Sequence, residues 1–234
     1  VVKRAIDSIL NQTYRDIELI IVNDGSQDKT KDIIHESISN DERACVIDKE
    51  NGGPGKARNT GIDAASGRYL MFIDSDDEYE SNMIEEMINM IERGSYDLVC
   101  CGYKNIVYKE NNVDIVKTTN SQALNKKYVN RTELLKEIDS FLGTWLFNPL
   151  WNKIYRTDII KNNNLKIDEN SYMGEDYCFN IDYINLCNSV YISDKFLYRY
   201  TLSQNCLTTK FRKNEFEVRR PNLIKLENFF YFKD

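Results

Sequence analysis

The chain has 234 residues, of which 41% are hydrophobic, 12% aromatic and 29% charged. This composition is typical of a folded globular protein and excludes a disordered, collagen-like or coiled-coil chain. The formal net charge of -6 argues against a dedicated nucleic-acid binder. The sequence contains no apolar run of the ~20 residues that a membrane-spanning helix needs. Its six cysteines lie in apolar segments without zinc-ligand spacing, which favours a reduced, cytoplasmic protein.

The first part of the chain is predicted to alternate helices with strands. Apolar residues at helical spacing predict a helix over residues 1–12, and residues 17–22 form a β-branched run typical of a buried strand. The next predicted elements are a helix at 29–39, a strand at 45–47, a helix that ends at Ala65 and a strand at 69–73. Such alternation indicates a parallel sheet. Because the chain opens on a helix, we expect a first strand of this sheet to lie upstream.

The pattern loosens after Ile73. A helix is predicted over residues 81–92 and a strand over 96–103, followed by a hairpin or loop up to Asn130. The remaining predicted elements are helices at 131–141, 157–162 and 175–187, an extended segment at 151–155, two short strands around Asp194 within 189–201, and a helical tail at 215–232. Trp145 and Trp151 fit either core packing or the stacking of a sugar.

Three carboxylates follow the strand that is predicted to end at Ile73. They belong to Asp74, Asp76 and Asp77. Ligands of open parallel sheets bind beyond the carboxyl ends of the strands, which is where these side chains are expected. Hard oxygen ligands at alternate positions suit Mg²⁺ or Mn²⁺. The same residues also fit a solvated acidic turn that caps a helix.

A glycine-rich stretch at residues 51–59 leads into the next predicted helix. It is not a Walker loop, because Glu50 stands where that motif needs glycine and Ala57 where it needs serine or threonine. The dinucleotide fingerprint also fails, because Arg58 takes the place of its third glycine. The stretch is therefore either a tight connection or a turn whose Lys56 and Arg58 approach an anionic ligand.

Two adjacent acids, Glu175 and Asp176, follow Gly174 at the start of a predicted amphipathic helix. At this position, capping and the helix dipole stabilise a carboxylate by roughly 0.5–1 kcal/mol. They could equally place a general base in a cleft.

The order and spacing of several motifs are specific when taken together: Asn23-Asp24-Gly25-Ser26, Asn51-Gly52-Gly53 with Arg58-Asn59, Asp74-Ser75-Asp76-Asp77 and Gly174-Glu175-Asp176. In this order they resemble the family 2 glycosyltransferases of the GT-A fold. Residues 8–14 are similar to the first helix of that family, and residues 151–155 to a segment of its bacterial members. The resemblance implies an α/β fold with a Rossmann-like, mostly parallel sheet flanked by helices, and a helical C-terminal region.

The resemblance also implies roles for the matching residues. Asp24 would accept a hydrogen bond from the uracil imide of a UDP-sugar, and Asp76 would ligate Mn²⁺ or Mg²⁺ at the diphosphate. Asp176 would be the base for the acceptor hydroxyl, beside Glu175. Further substrate contacts are implied for Asn51, Arg58, Asp74, Ser75, Arg199 and Ser203. The family's Pro-x-Tyr-Asn loop and its late histidine ligand have no counterpart in this sequence.

The implied function is an inverting, metal-dependent transfer of a hexosyl or N-acetylhexosaminyl group from a UDP-sugar to a hydroxyl. The acceptor would be a glycan or a lipid-linked molecule of bacterial cell-surface polysaccharide synthesis, with no nucleic-acid partner. The location would be the cytoplasm or the inner face of the membrane, which allows peripheral membrane association. A sugar-nucleotide-binding or inactive fragment and a metal-dependent phosphohydrolase are the alternatives.

The expected organisation is a GT-A domain over residues 1–209 and a helical tail over residues 210–234. Within the domain, residues 1–103 form the predicted nucleotide-binding half and residues 104–209 the acceptor-side half.

Overall fold

The computed structural model describes residues 1–108, 113–118, 126–128, 132–134, 136, 146–171, 174–202 and positions 220, 224 and 227. Its first part alternates helices and strands as predicted: α1 (Val2–Leu10), β1 (Leu19–Asp24), α2 (Thr30–Ile38), β2 (Ala44–Lys49), α3 (Gly53–Ala64) and β3 (Tyr69–Met71). β1 continues two residues further than the apolar run predicts. Asp24 is therefore the last residue of the strand rather than part of the following loop.

The later elements are β4 (Glu78–Tyr79), α4 (Met83–Gly94), β5 (Leu98–Tyr108), β6 (Val113–Thr118), β7 (Lys126–Tyr128), β8 (Lys153–Arg156), α5 (Thr157–Asn162), α6 (Glu175–Leu186) and β9 (Val190–Thr201). The two short strands predicted around Asp194 are one strand, β9. Its pairing with β5 changes register between Ile192 and Phe196, so the predicted break corresponds to an irregularity in the ladder. Most of the helix predicted at 131–141 and of the tail lies outside the described residues.

The strands form two sheets, and the larger one corrects the prediction of a mostly parallel sheet. β1 and β2 pair in parallel, as their separation by a helix predicts. The seven-stranded sheet has the order β3-β8-β5-β9-β4, with β6 on β5 and β7 on β9. In it, β5 and β9 are parallel and the other pairs are antiparallel. The parallel prediction rested on strand–helix alternation, which ends after β3.

Within the described part of the chain, β1 forms a ladder with β2, and β3 forms one with β8. The Glu18 carboxylate holds the starts of β1 and β3 together, because it accepts hydrogen bonds from the Ser66 and Gly67 amides, each at 2.6 Å. The upstream strand remains a prediction.

Two apolar clusters form the core. One packs α5 and α6 against the large sheet, and the other packs α1 and α4 there. Trp151 belongs to the second cluster, where it is 7% exposed and stacks on Tyr198 at a centroid distance of 4.1 Å. Trp151 is thus a core residue, whereas Trp145 lies outside the described residues. No helix in the described ranges has the length and apolar character to cross a bilayer.

Candidate functional site

The carboxyl end of β1 is tied to the glycine-rich turn before α3. Asp24 Oδ1 accepts a hydrogen bond from the Gly52 amide at 2.9 Å, and Oδ2 accepts one from the Gly53 amide at 2.8 Å. Lys49, at the end of β2, donates to Oδ1 at 2.5 Å. Gly53 has a φ of +85°, a conformation that side chains rarely adopt. We call Asp24, Lys49, Gly52 and Gly53 the glycine-turn site.

Asp24 is a hydrogen-bond acceptor with one position left for a ligand. Burial alone would raise its pKa, but hydrogen bonds from Lys49 and the two glycine amides lower the pKa below its ordinary value. A carboxylate oxygen has about two lone-pair sites. Oδ1 accepts two hydrogen bonds from the described residues and Oδ2 accepts one, so Oδ2 can accept another. Asn51 is exposed at the rim of the turn.

The second part of the site is built around Arg58, which α3 holds below the glycine turn. Its guanidinium contacts Asp176 at 2.7 Å, Asp74 at 3.1 Å and Glu175 at 3.4 Å. We call these four residues the Arg58 cluster. The cluster joins α3 to the end of β3 and to the start of α6, and Asp176 lies 118 positions after Arg58 in the sequence. Three of the predicted site motifs therefore meet at one cation.

The Arg58 cluster holds more negative than positive charge in a half-buried setting. Burial, together with the charges of Glu175 and Asp74, raises the pKa of Asp176 to about 7, although Arg58 and Lys153 act to lower it. The pKa of Arg58 lies above its ordinary value because its three carboxylate partners outweigh desolvation. Asp176 can therefore exchange a proton near neutral pH, as a general base must.

Glu175 and Asp176 do not cap α6. The helix begins after Gly174, which has a φ of +83°, and no side-chain cap hydrogen bond is formed there. Glu175 has 11% and Asp176 has 22% of its side chain exposed. Both acids lie in the first turn of α6, where the helix dipole favours carboxylates, and both contact Arg58. The use of Asp176 as a general base stays a prediction.

The acidic turn after β3 divides into two parts with different partners. Asp74 contacts Arg58, whereas Asp77 is buried, with Oδ2 accepting from the Tyr198 hydroxyl at 2.6 Å and Oδ1 from the Thr201 amide at 2.7 Å. Burial and the charge of Asp74 raise the pKa of Asp77 to about 8. Asp77 thus fixes the end of β9 against the turn, and helix capping is excluded because α4 begins at Met83.

The acidic turn has oxygen ligands of the kind that divalent cations take. Burial and the neighbouring charge of Asp74 raise the pKa of Asp76, while Arg4 acts to lower it. The described residues contain no group of three or more His, Cys, Asp or Glu side chains arranged to bind a metal. Mg²⁺ commonly takes one or two carboxylates and completes its shell with water and phosphate oxygens. Ser75 is exposed beside Asp76.

Of the two remaining predicted substrate residues, Arg199 and Ser203, the structure describes only Arg199. Arg199 is in β9, paired in register with Glu78 of β4. It lines a cleft of about 430 Å³ together with Arg4 and Ser8 of α1. Among the described residues, no contact joins Arg199 to the Arg58 cluster. Ser203 lies outside the described residues.

Two lysines of the site region were not singled out by sequence reasoning. Lys49 pairs with Asp24, and Lys153 is fully buried and acts electrostatically on Asp176. No sequence signal pointed to Lys49, because it lies beyond the strand predicted at residues 45–47. Lys153 stands within the segment 151–155 that resembles bacterial family members, but its buried position depends on tertiary contacts.

Comparison with known sequences decides the family. The family described as "Glycosyl transferase family 2" matches residues 1–162. The chain belongs to this family. It is 33% identical over 207 residues to an uncharacterized glycosyltransferase, EpsJ, and 32% identical over 221 residues to a putative glycosyltransferase, EpsH, both of Bacillus subtilis. These matches cover 88% and 92% of this chain but 59% and 61% of the relatives, so the chain spans about 60% of their length.

Solved structures confirm the predicted GT-A fold of this family 2 chain. S. aureus TarS 1–349 in complex with UDP-GlcNAc superposes with a TM-score of 0.76 at 22% identity, covering 97% of this chain and 63% of that one. The mannosyltransferase PcManGT from Pyrobaculum calidifontis, in complex with GDP-Man and Mn²⁺, has a TM-score of 0.60 at 11% identity, covering 87% and 54%. At these identities the likeness concerns the fold.

Proposed function

We propose that the chain transfers a sugar from a UDP-sugar to an acceptor hydroxyl, with a divalent cation and with inversion at the anomeric carbon. The observation that carries the proposal is the Arg58 cluster, which places a carboxylate with a pKa of about 7 beside the acidic turn. Support for a nucleotide-sugar donor comes from the similar fold of TarS, whose structures contain UDP or UDP-GlcNAc.

The glycine-turn site offers the edge that uracil requires. Asp24 Oδ2 can accept one hydrogen bond, and the Lys49 ammonium, which donates to Asp24 and to the Glu50 carbonyl, has a third proton to donate. An acceptor next to a donor complements the N–H and adjacent carbonyl of the uracil imide. Asn51 borders the same turn and would contact the nucleotide.

The diphosphate would lie between this turn and the acidic turn. Asp76, with Asp74 beside it, would hold Mn²⁺ or Mg²⁺ there, and Ser75 would contact the donor. Stabilisation of the negative charge that develops on the departing diphosphate is the chemistry that such an ion supplies when bound. Arg58 keeps Asp74 in place through their 3.1 Å ion pair. We propose that Arg199 and Ser203 close on the diphosphate from the end of β9.

Asp176 would take the proton of the acceptor hydroxyl. Its side chain is the more exposed of the two acids at the start of α6, while Glu175 is held at 3.4 Å from Arg58 and orients the pair. A positioned general base typically contributes about 10²–10⁴ in rate. With one base and no covalent intermediate, the bond to the acceptor forms as the bond to the diphosphate breaks, and the configuration inverts.

The finer identity of the substrates is part of the proposal. UDP-GlcNAc in the TarS complex favours an N-acetylhexosaminyl donor, and a hexosyl donor is the other option. The acceptor would be a glycan or a lipid-linked sugar of cell-surface polysaccharide synthesis. We place the reaction in the cytoplasm, at or near the inner face of the membrane.

Calorimetric titration with UDP, with and without Mn²⁺, tests the donor site. We expect binding that Mn²⁺ strengthens and that loses this dependence in Asp76→Ala. Asp32→Ala, at an exposed position of α2, is the matched control. UDP-sugars that bind are then tested for UDP release, and the product linkage is examined by NMR. A retained anomeric configuration would contradict inversion, while UDP binding without any turnover would favour a sugar-nucleotide-binding module.

A further inference from the structure

The proposed reaction does not use a group of buried polar side chains that is linked to Asp176 through α6. It consists of Asn152, Lys153 and Asn180, each with 0% of its surface exposed. Asn180 follows Asp176 by one turn of α6, and Lys153 is the first residue of β8. A fully buried ammonium costs several kcal/mol unless hydrogen bonds and charges compensate it. Its partners therefore show what it holds in place.

Lys153 donates to oxygen atoms of the segment that precedes β8. Its Nζ lies 2.9 Å from the Leu146 carbonyl and 2.8 Å from Asn152 Oδ1, and it also donates to the Pro149 carbonyl at 2.5 Å. All three protons of the ammonium are thereby used. The two carbonyls stand at the ends of a four-residue turn, so the ammonium closes the turn from inside.

Asn180 binds the middle of the same turn from the helix that carries Asp176. Its Nδ2 donates to the Phe147 carbonyl at 2.8 Å and to the Asn148 carbonyl at 3.1 Å. Its Oδ1 accepts from the Tyr155 hydroxyl at 2.6 Å. The four carbonyls of residues 146–149 therefore converge on Lys153 and Asn180. Buried hydrogen bonds thus join the turn, β8 and α6, and Asn180 makes its share of them one helical turn after the candidate base.

We propose that Lys153 is a positioning residue for Asp176: its ammonium fixes the turn at residues 146–149, and the turn fixes α6 through Asn180. This inference rests on the proposed function, in which Asp176 is the base. A displacement of about 1 Å at a reacting group can cost roughly 10²-fold in rate. The turn belongs to residues 104–209, the predicted acceptor-side half.

The charges are consistent with this role. Desolvation lowers the pKa of Lys153 to about 8, while the negative charge of Asp176 acts in the opposite direction and favours the ammonium. The reciprocal effect of Lys153 lowers the pKa of Asp176. The other groups that act on Lys153 are the Cys100 and Cys101 thiols of β5. The three acceptors around Nζ use all three protons of an ammonium, and its charge favours the ionised base.

The test compares Lys153→Met and Lys153→Gln with Lys161→Met. Lys161 is an exposed lysine of α5 that also donates to a backbone carbonyl, that of Ala65. The readouts are UDP release from UDP-GlcNAc with water as the acceptor, the pH profile of that release, and the Kd for UDP. We expect roughly 10- to 100-fold lower kcat in Lys153→Met, with the Kd for UDP within about twofold of wild type.

The pH profile separates positioning from a general loss of structure. In both Lys153 variants the acid limb of UDP release should move to higher pH, because a positive charge near Asp176 is lost. Lys153→Gln keeps two N–H donors, so its kcat should fall less than that of Lys153→Met. Wild-type kcat and an unmoved acid limb in both variants would overturn the proposal. If Lys153→Met does not fold, the Gln variant carries the test alone.

Hydrogen exchange makes the inference independent of turnover. The Cys178 amide donates to the Gly174 carbonyl at 3.0 Å and reports on the first turn of α6. We expect faster exchange at residues 178–181 in Lys153→Met and unchanged exchange in α3. No UDP release by the wild-type protein would count against the proposed function, and the exchange result would still decide the role of Lys153. Unchanged exchange at residues 178–181 would refute it.

Discussion

The glycine-turn site and the Arg58 cluster are connected by α3 and each contains an aspartate, yet the two settings shift the pKa of that aspartate in opposite directions. Around Asp24, two backbone amides and one ammonium donate to the carboxylate and lower its pKa. Around Asp176, burial dominates, and two neighbouring carboxylates add to it, so the pKa rises to about 7 despite the contact with Arg58. The two sites have the same functional group and different donor sets.

This difference matches the two tasks of the proposed reaction. A carboxylate that recognises an N–H group must remain ionised over the working pH range, which donors to the carboxylate ensure. A carboxylate that accepts a proton works best with a pKa near the operating pH. If the comparison is correct, substitutions at Asp24 should change binding, and those at Asp176 should change turnover.

The largest effect is expected for Asp176→Asn. The amide has nearly the shape of the carboxylate but cannot take a proton, so UDP release or transfer should fall by about 10²–10⁴. The Kd for UDP should stay within about twofold, as measured by calorimetry. Asp182→Asn, on a later turn of the same helix, serves as the control. A weakened UDP affinity with intact turnover would reverse the assigned roles of the two sites.

Asp24→Asn should act on binding instead. A hydrogen bond to a charged group is worth about 1.5–3 kcal/mol, which corresponds to roughly 10- to 100-fold in the Kd for UDP. The matched control is Asp28→Asn in the following loop, whose exposed carboxylate accepts from the Thr30 amide at 2.9 Å. Asparagine is an equally good residue for that contact, so the affinity should not change. Equal Kd values for the two variants would contradict a role for Asp24 as the acceptor that binds the nucleotide.

The glycine-turn site was largely predictable from sequence, because its parts come from short, local patterns. A buried strand followed by Asp24, and a glycine-rich turn before a helix, place both at one sheet edge. The end of β1 was two residues off, since Asn23 and Asp24 are polar while their backbone continues the ladder with β2. The sequence could not reveal that Lys49 faces Asp24, because neighbouring strands have no fixed register until they pair.

The Arg58 cluster was predictable as separate motifs but not as a cluster. Arg58 and Asp176 are joined by an ion pair across a separation of 118 residues, which no local pattern encodes. The strand directions of the larger sheet were predicted wrongly for a related reason. β8 lies antiparallel to β3 and β5, and it follows the part of the chain in which strands and helices alternate. Lys153 shows the same limit, since lysine is seldom a core residue and its carbonyl partners appear only in the folded chain.

The pH dependence of turnover sharpens the comparison further. With the pKa of Asp176 at about 7, kcat/KM for UDP release should fall about tenfold per pH unit below that value. The affinity for UDP should not follow this limb, because the lowered pKa keeps Asp24 ionised. A raised folded-state pKa means that the folded chain binds more protons than the unfolded chain, so this group's contribution to stability decreases as pH rises from about 4 to 7. A flat profile between pH 5 and 8 would exclude Asp176 as the base.

The smallest effect, and the most specific to the glycine-turn site, is expected for Lys49→Met. The variant keeps the aliphatic stem but removes the donor that would lie beside the uracil carbonyl. Cytidine differs from uridine at that edge. It has an amino group in place of the carbonyl and a ring nitrogen acceptor in place of the N–H. The preference for UDP over CDP should therefore decrease by roughly 2- to 10-fold, the value of one net hydrogen bond.

Competition titrations with the two nucleotides measure this preference, with Lys29→Met, at an exposed position before α2, as the control. Loss of affinity for both nucleotides alike would mean that Lys49 acts through the charge of Asp24 rather than on the base. An unchanged preference would mean that the nucleobase does not contact Lys49, and Asp24 would then be the one residue of the glycine-turn site proposed to recognise uracil.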